Sequence, residues 1–265
     1  MGNSAGRPLA VVTGASSGIG YELAVQFAEH GYDLVIAAED PEIHRAAQQL
    51  GGHGVDAVPV QVDLATYDGV EELYASLRGR APDAVAINAG VGVGGDFARQ
   101  TELRDELRLI NLNVTSSVHL AKRVLQDMVP RQAGKILFTS SIAATMPGPY
   151  EATYAASKAF LLSFGEAIGH ELGDSGITVT TLMPGPTETE FFDRAGLQDT
   201  KLGQSNKDDP AQVARDGFEA LMAGKDKVVA GSVKNKVQAG ASKILPETSR
   251  AKIHGSMSEP GSADS

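Results

Sequence analysis

A chain of 265 residues with 42% hydrophobic content is long enough to form one domain with a sizeable core. Its formal net charge of −10 disfavours nucleic acid and anionic membranes as partners. The absence of cysteine and the scatter of the six histidines exclude disulfides, cysteine nucleophiles and the usual metal motifs, so no metal is expected.

The most informative segment, residues 13–20, comes first along the chain. It follows an apolar run at 9–12 that predicts a buried strand, and it leads into a helical pattern of Ile19, Leu23 and Phe27. A strand, a glycine-rich turn and a helix N-terminus together form an anion cradle, because glycine lets a phosphate approach the backbone and the first helical turn has free N–H groups. We therefore expect a dinucleotide site here.

Two other interpretations of this segment stay open at this point. Residues 14–18 match G-x-S-x-G, the nucleophile elbow of serine hydrolases, with Ser16 as the nucleophile. That interpretation needs a nearby histidine, whereas His119 and His170 fall in helical patterns and His254 lies in a polar tail. The segment is also compatible with a purely structural turn.

Strand and helix patterns alternate along the rest of the chain, which predicts a parallel sheet with helices on both faces. Strands are predicted at 33–38, 55–62, 84–88, 135–139, 176–183 and 227–230. Helices are predicted around 68–77, over 101–128 (long and bent), over 150–172, and after each of the two Asp-Pro pairs, where Asp40 and Asp209 are the expected N-caps.

Polar residues cluster where the predicted strands end, and ligands of such sheets bind at the carboxyl ends of the strands. These residues are Thr13, Glu39, Asp63, Asn88, Ser140, Ser141 and the Pro184-Gly185 turn.

A second motif pairs Tyr154 with Lys158 on one face of a predicted helix, since residues four apart are helix neighbours. Ser141 follows the fifth predicted strand, thirteen residues before Tyr154. The Tyr154–Lys158 pair alone is weak evidence for a function, but the other motifs around it make it specific.

With these motifs in order, the chain resembles the short-chain dehydrogenase/reductase family over about residues 9–231. The motifs that carry the resemblance are residues 13–20, Asp63, Asn88-Ala89-Gly90, Asn113, Ser141, Tyr154-x-x-x-Lys158 and Pro184-Gly185. The resemblance implies an α/β, doubly wound, Rossmann-like sheet of seven parallel strands in the order 3-2-1-4-5-6-7. It also implies hydride transfer between a nicotinamide and a ketone, aldehyde or secondary alcohol.

The resemblance assigns catalytic roles to four residues. Tyr154 is the expected general acid/base on the substrate oxygen, and a neighbouring Lys158 ammonium is the expected means of lowering its pKa. Lys158 also holds the nicotinamide ribose, Ser141 hydrogen-bonds the substrate oxygen, and Asn113, rather than Asn111, supports a water that relays protons.

The resemblance also implies a set of cofactor-binding residues. They are Gly14, Ser16, Ser17, Gly18, Ile19, Gly20, Glu39, Asp63, Leu64, Asn88, Gly90, Tyr154, Lys158, Pro184, Gly185, Thr187 and Thr189. Simpler roles stay open for some of them: Asp63 as a helix cap, Asn88 and Gly90 as supports of the sheet, and Thr187 and Thr189 as members of a turn.

The expected cofactor is NAD rather than NADP. Glu39 ends the second predicted strand, where an acidic side chain accepts both ribose hydroxyls and repels a 2′-phosphate. The nearest cation in sequence, Arg45, belongs to the next helix. A solvated carboxylate at Glu39 is the alternative.

We expect one oxidoreductase domain over 1–254, with a substrate loop at about 186–208 and a disordered tail at 255–265. Its partners should be a small-molecule carbonyl or alcohol and further copies of the chain, as a homodimer or homotetramer, with neither nucleic acid nor membrane. No apolar run reaches the ~20 residues of a membrane helix. The N-terminus lacks a signal-peptide pattern, so a cytoplasmic protein is expected. A catalytically silent dinucleotide-binding protein is the alternative function.

The residues expected to line the substrate pocket are mostly apolar, which favours a partly apolar substrate. They are Met146, Pro147, Pro149, Phe191, Phe192 and Leu197.

Overall fold

The centre of the molecule is a seven-stranded parallel sheet, seen in a computed structural model that describes residues 6–232 and 247–264. Strands β1 to β7 are Leu9–Thr13, Asp33–Ala38, Ala57–Gln61, Ala84–Ile87, Gly134–Thr139, Ile177–Met183 and Lys227–Val229. Their order across the sheet is β3-β2-β1-β4-β5-β6-β7, which confirms the expected fold. The order reverses between β1 and β4, and a crevice at their carboxyl ends is the usual ligand site of such sheets.

Helices cover both faces of the sheet. Helices α1 to α9 are Gly18–Glu29, Glu42–Gly51, Tyr67–Ser76, Leu103–Ile110, Ser116–Arg131, Ala152–Leu172, Phe191–Arg194, Pro210–Met222 and Glu247–Ser258. One buried cluster, which includes Phe27 and Phe218, lies on the α1, α2 and α8 side. A second cluster, which includes Leu73 and Leu161, lies on the α3, α5 and α6 side. None of the helices in the described ranges is long and apolar enough to cross a membrane.

The helix predicted over 101–128 is in fact interrupted. Between α4 and α5 the chain forms a π-helical turn, Asn111–Thr115. An extra residue in a turn changes which side chains face inward, and such turns occur often at functional sites. Here Asn113 is fully buried, whereas Asn111 is exposed.

The substrate loop predicted at 186–208 is closed at its base. The Glu188 N–H donates to the Asp208 carbonyl (2.9 Å), and the Asp208 N–H donates to the Pro186 carbonyl (2.8 Å). The loop contains α7 and a small apolar cluster of its own.

The prediction of a disordered tail is wrong for residues 255–264. The segment continues α9 and ends in a short 3-10 helix, Ser262–Asp264. It packs on the substrate loop, where the Leu202 N–H donates to the Met257 carbonyl (2.9 Å) and the Gly261 N–H to the Asp199 carboxylate (3.0 Å). Polar contacts of this kind leave no apolar periodicity in the sequence. Residues 1–5 and 233–246 of the predicted domain, and residue 265 of the tail, lie outside the described residues.

Candidate active site

The glycine turn after β1 exposes backbone without side chains to the crevice. Gly14 and Gly18 have positive φ of 66° and 57°, a conformation that side chains disfavour. A Cβ on Gly20 would lie 2.0 Å from the Gly14 carbonyl oxygen, and one on Gly18 would lie 2.9 Å from the Thr189 methyl group. Ser17 precedes α1 without capping it through its side chain, within the described residues. The first turn of α1 therefore keeps N–H groups available for an anion.

A polar atom without a partner supports a ligand at this turn. The Ser16 hydroxyl donates to Asp40 Oδ2 (2.8 Å), whereas Asp40 Oδ1 is buried and has no partner among the described residues. The prediction that Asp40 caps the next helix is wrong, because Pro41 is the N-cap residue of α2 and Asp40 faces Ser16 instead. With an acidic rather than a basic neighbour, Ser16 does not have the surroundings of a hydrolase nucleophile.

Asn88 connects three strands behind the crevice. Its side-chain amide donates to the Thr13 carbonyl (3.1 Å) and accepts from the Thr139 hydroxyl (3.0 Å). Its backbone N–H and that of Ala89 donate to the Thr13 hydroxyl, at 2.9 and 3.0 Å. This network holds the ends of β1, β4 and β5 together, so Asn88 has the structural role that the sequence left open.

Two predicted acids, Glu39 and Asp63, lie at the far end of the crevice and share a cation that the sequence did not predict. Arg108 of α4 donates to Glu39 Oε2 (2.6 Å) and to Asp63 Oδ2 (3.0 Å). Partial burial works to raise the pKa of Asp63, but hydrogen bonds from Arg108 and the Ala65 N–H outweigh it and lower the pKa. The hydrogen bond with Asp63 has the largest effect on the pKa of Arg108 and raises it. The contact with Glu39 raises this pKa further, against the effect of burial. The Asp63 carboxylate accepts a hydrogen bond from the Ala65 N–H. Asp63 is nevertheless not the helix cap, because the N-cap residue of α3 is Thr66.

The catalytic candidates lie at the near end of the crevice. Ser141 and Tyr154 line the cavity, and Lys158 lies one helical turn after Tyr154, with its Nζ 5.6 Å from the centre of the tyrosine ring. The Lys158 ammonium donates to the Thr139 carbonyl (2.9 Å), and burial lowers its pKa to about 8. Ser140, beside them, ties the strand end to α6 by donating to the Lys158 carbonyl (2.7 Å).

The expected lowering of the Tyr154 pKa is not found. Burial, and then the charge of Glu151, raise the pKa of Tyr154, and a side-chain hydrogen bond with Ser141 only partly offsets them. Burial is the largest of these effects, and the Lys158 ammonium donates to the Thr139 carbonyl. In this state Tyr154 is therefore a protonated acid.

Asn113 supports the site from behind rather than lining the cavity. Its Oδ1 accepts from the Val91 N–H (2.9 Å), and its Nδ2 donates to the Val91 carbonyl (2.9 Å) and the Ser157 hydroxyl (3.0 Å). A Cβ on Gly90 would lie 3.1 Å from Asn113 Oδ1 and 3.2 Å from Lys158 Nζ, so the three residues adjoin. The amide therefore fixes the loop after β4 against α6.

The cavity, of about 510 Å³, brings together all the predicted cofactor residues and all the predicted catalytic residues except Asn113. Beyond Tyr154 it is largely apolar, since Met146, Phe191 and Phe192 line it as expected. The prediction for Leu197 is wrong, because that side chain is buried in the small cluster of the substrate loop, whose backbone turns it inward.

Two further residues of this pocket, Glu151 and His254, were missed by sequence reasoning, together with Ser258, which contacts them. Glu151, His254 and Ser258 form a buried group, in which the Ser258 hydroxyl donates to Glu151 (2.7 Å) and lies 3.4 Å from His254 Nδ1. Burial raises the pKa of Glu151 and lowers that of His254. The group attaches α9 to the start of α6, and His254 and Met257 thereby become part of the pocket wall.

Comparison with known proteins gives one family. The short chain dehydrogenase model matches residues 8–199. The oxidoreductase UcpA of Salmonella typhimurium is 33% identical over 225 residues, which are 83% of this chain and 82% of UcpA.

Solved structures of the same fold include a short-chain dehydrogenase from Sphingobium yanoikuyae in complex with NADPH. It is 29% identical, with a TM-score of 0.79, over 90% of this chain and 94% of that one. The L-sorbose reductase of Gluconobacter frateurii, complexed with NADPH and L-sorbose, is 26% identical, with a TM-score of 0.75, over 86% and 97% of the two chains.

Proposed function

Since the chain belongs to the short-chain dehydrogenase/reductase family and is an NAD(P)-dependent oxidoreductase acting on CH–OH or C=O groups, we propose that it reduces a partly apolar ketone or aldehyde, or oxidises the matching alcohol, with NAD preferred. The observation that carries this proposal is a single cavity that joins the glycine turn to Ser141, Tyr154 and Lys158. Membership of an oxidoreductase family, with Ser141, Tyr154 and Lys158 all in the cavity, argues against the alternative of a silent dinucleotide-binding protein.

A bound nicotinamide would supply or accept the hydride, and the protein side chains would position the substrate oxygen and transfer its proton. The Ser141 hydroxyl holds that oxygen in place, and Tyr154 exchanges a proton with it. A phenol whose pKa is raised stays protonated at neutral pH, which is the form required to donate to a carbonyl oxygen in the reducing direction. Lys158, with a pKa of about 8, is mostly charged at neutral pH. Its ammonium lies 5.6 Å from the centre of the Tyr154 ring, so its charge favours the phenolate that results.

The substrate is proposed to be partly apolar because aromatic and sulfur side chains dominate the wall beyond Tyr154. The Tyr154 and Phe191 rings lie 5.0 Å apart, and Met146 and Met257 complete the wall. Glu151, Lys207 and His254 are among the polar residues that line the same cavity. A panel of ketones and secondary alcohols, graded in size and polarity and followed by the absorbance of reduced nicotinamide, tests this proposal.

The NAD preference rests on Glu39 at the end of β2, whose carboxylate is adjacent to the crevice. Replacing it by arginine (Glu39→Arg) removes the repulsion of a 2′-phosphate and adds an attraction. We expect the ratio of kcat/KM for NADP to that for NAD to rise by at least about tenfold, which corresponds to about 1.4 kcal/mol. A wild-type enzyme that prefers NADP on the same substrate would refute the preference.

Self-association is proposed through α4 and α6. Leu103, Leu107 and Ile110 of α4 are 70%, 50% and 39% exposed, and Phe160 of α6 is 39% exposed. Ala155, which lies on α6 as well, is buried. Exposed apolar faces of this kind mark association sites, so we expect a dimer or tetramer in sedimentation at micromolar concentration. Replacing Phe160 and Ile110 by aspartate should shift the protein toward the monomer, and a monomeric wild type would contradict the assignment.

A further inference from the structure

The two acids at the adenosine end of the proposed cofactor site share one guanidinium. Arg108 comes from α4 and lies 69 residues after Glu39 in the sequence, beside the two acids that line the crevice. Its Nη2 lies 2.6 Å from Glu39 Oε2 and 3.3 Å from Asp63 Oδ1, while Nη1 lies 3.0 Å from Asp63 Oδ2. Arg45, the cation nearest to Glu39 in sequence, is exposed on α2.

From this arrangement we propose that Arg108 determines cofactor specificity: its guanidinium offsets the charge of Glu39 and binds a 2′-phosphate, so that the enzyme also accepts NADP. The inference rests on the proposed function and extends it. Glu39 alone would exclude NADP, whereas Glu39 joined to Arg108 gives a graded preference.

The charges make the direction of the effect clear. Glu39, Asp63 and Arg108 together carry a net charge of −1, and removing the guanidinium leaves −2 beside a phosphate that itself carries up to −2. A planar guanidinium with five N–H donors can keep a carboxylate contact and still bind phosphate oxygens. The size of the effect is limited by solvent, because the side chains of Arg108, Glu39 and Asp63 are 39%, 64% and 31% exposed.

The same contacts also serve NAD. A carboxylate has two oxygens and about four acceptor positions, so Glu39 can keep Arg108 on one oxygen and accept a ribose hydroxyl on the other. The backbone of Glu39 is held as well, because the Gln61 side chain donates to its carbonyl (3.1 Å). Loss of Arg108 should therefore weaken the binding of NAD only slightly and the binding of NADP strongly.

The test is binding rather than turnover. Dissociation constants of NAD⁺ and NADP⁺ are measured by titration calorimetry for the wild type, for Arg108→Ala and for the control Arg104→Ala. Arg104 lies on the same helix, its side chain is 94% exposed, and its ion pair is a 3.8 Å contact to its neighbour Asp105. We expect Arg108→Ala to raise the dissociation constant of NADP⁺ about tenfold and that of NAD⁺ less than about threefold. The control should change neither dissociation constant.

A second variant and a pair of fragments keep the test decisive. Glu39→Gln retains Arg108 and should bind NADP⁺ more tightly than the wild type does. In Arg108→Ala, 2′,5′-ADP should lose more affinity than 5′-AMP, because these two fragments differ only by the 2′-phosphate. Equal weakening of both dinucleotides, or no change in either, would overturn the role of Arg108 while leaving the proposed function intact. A wild type that binds neither dinucleotide would overturn both.

Discussion

Tyr154→Phe is expected to lower kcat by about 10²–10⁴-fold, the usual contribution of a general acid–base group. The substitution removes only the hydroxyl, and the ring keeps its packing against Phe191, 5.0 Å away. Folding and the dissociation constant of the cofactor should therefore stay near wild type. The measurement is steady-state kinetics on one substrate together with calorimetric titration of the dinucleotide.

Tyr67→Phe is the matched control, because Tyr67 is 66% exposed at the start of α3. It should leave kcat unchanged. If Tyr154→Phe kept near-normal kcat, the proton transfer would have to come from another group, and the assignment of Tyr154 would be lost.

Lys158→Met should abolish most turnover and change how stability depends on pH. Burial lowers the pKa of Lys158 from 10.5 to about 8. Between these two values the unfolded chain holds a proton that the folded protein has released, so the free energy of unfolding contributed by this group rises with pH. Below about pH 8 the group is charged in both states, and its contribution is constant.

We therefore expect the free energy of unfolding of the wild type to increase relative to that of Lys158→Met as the pH rises from about 8 to about 10.5. Urea unfolding of the cofactor-free proteins at several pH values in this range measures the difference. Lys122→Met, at an exposed position on α5, should track the wild type. A constant difference between the wild type and Lys158→Met would show that the lysine titrates at its ordinary pKa.

The sequence predicts the sheet and most of the site because both depend on local rules. Alternating strand and helix patterns imply parallel strands, and the carboxyl ends of parallel strands meet at one edge. Thr13, Asn88 and Ser141 are therefore placed together without any knowledge of their contacts. Tyr154 and Lys158 are placed by helix geometry alone.

The features that sequence reasoning missed depend on partners distant in the chain. Arg108 donates a hydrogen bond to Glu39, 69 residues away in the sequence, and Ser258 donates one to Glu151, 107 residues away. Neither pair leaves a periodic pattern, and the polar composition of the last residues suggested disorder. The raised pKa of Tyr154 was missed for a similar reason, because the burial that is its largest cause depends on residues distant in the chain.

Turnover of nicotinamide by the wild-type protein tests the central claim most directly. The purified chain is supplied with reduced or oxidised dinucleotide and the panel of carbonyls and alcohols, and the absorbance of the reduced nicotinamide is followed. We expect substrate-dependent turnover that favours partly apolar molecules and that Tyr154→Phe removes. Dinucleotide binding without turnover of any member of the panel, or turnover equal in wild type and Tyr154→Phe, would contradict the account.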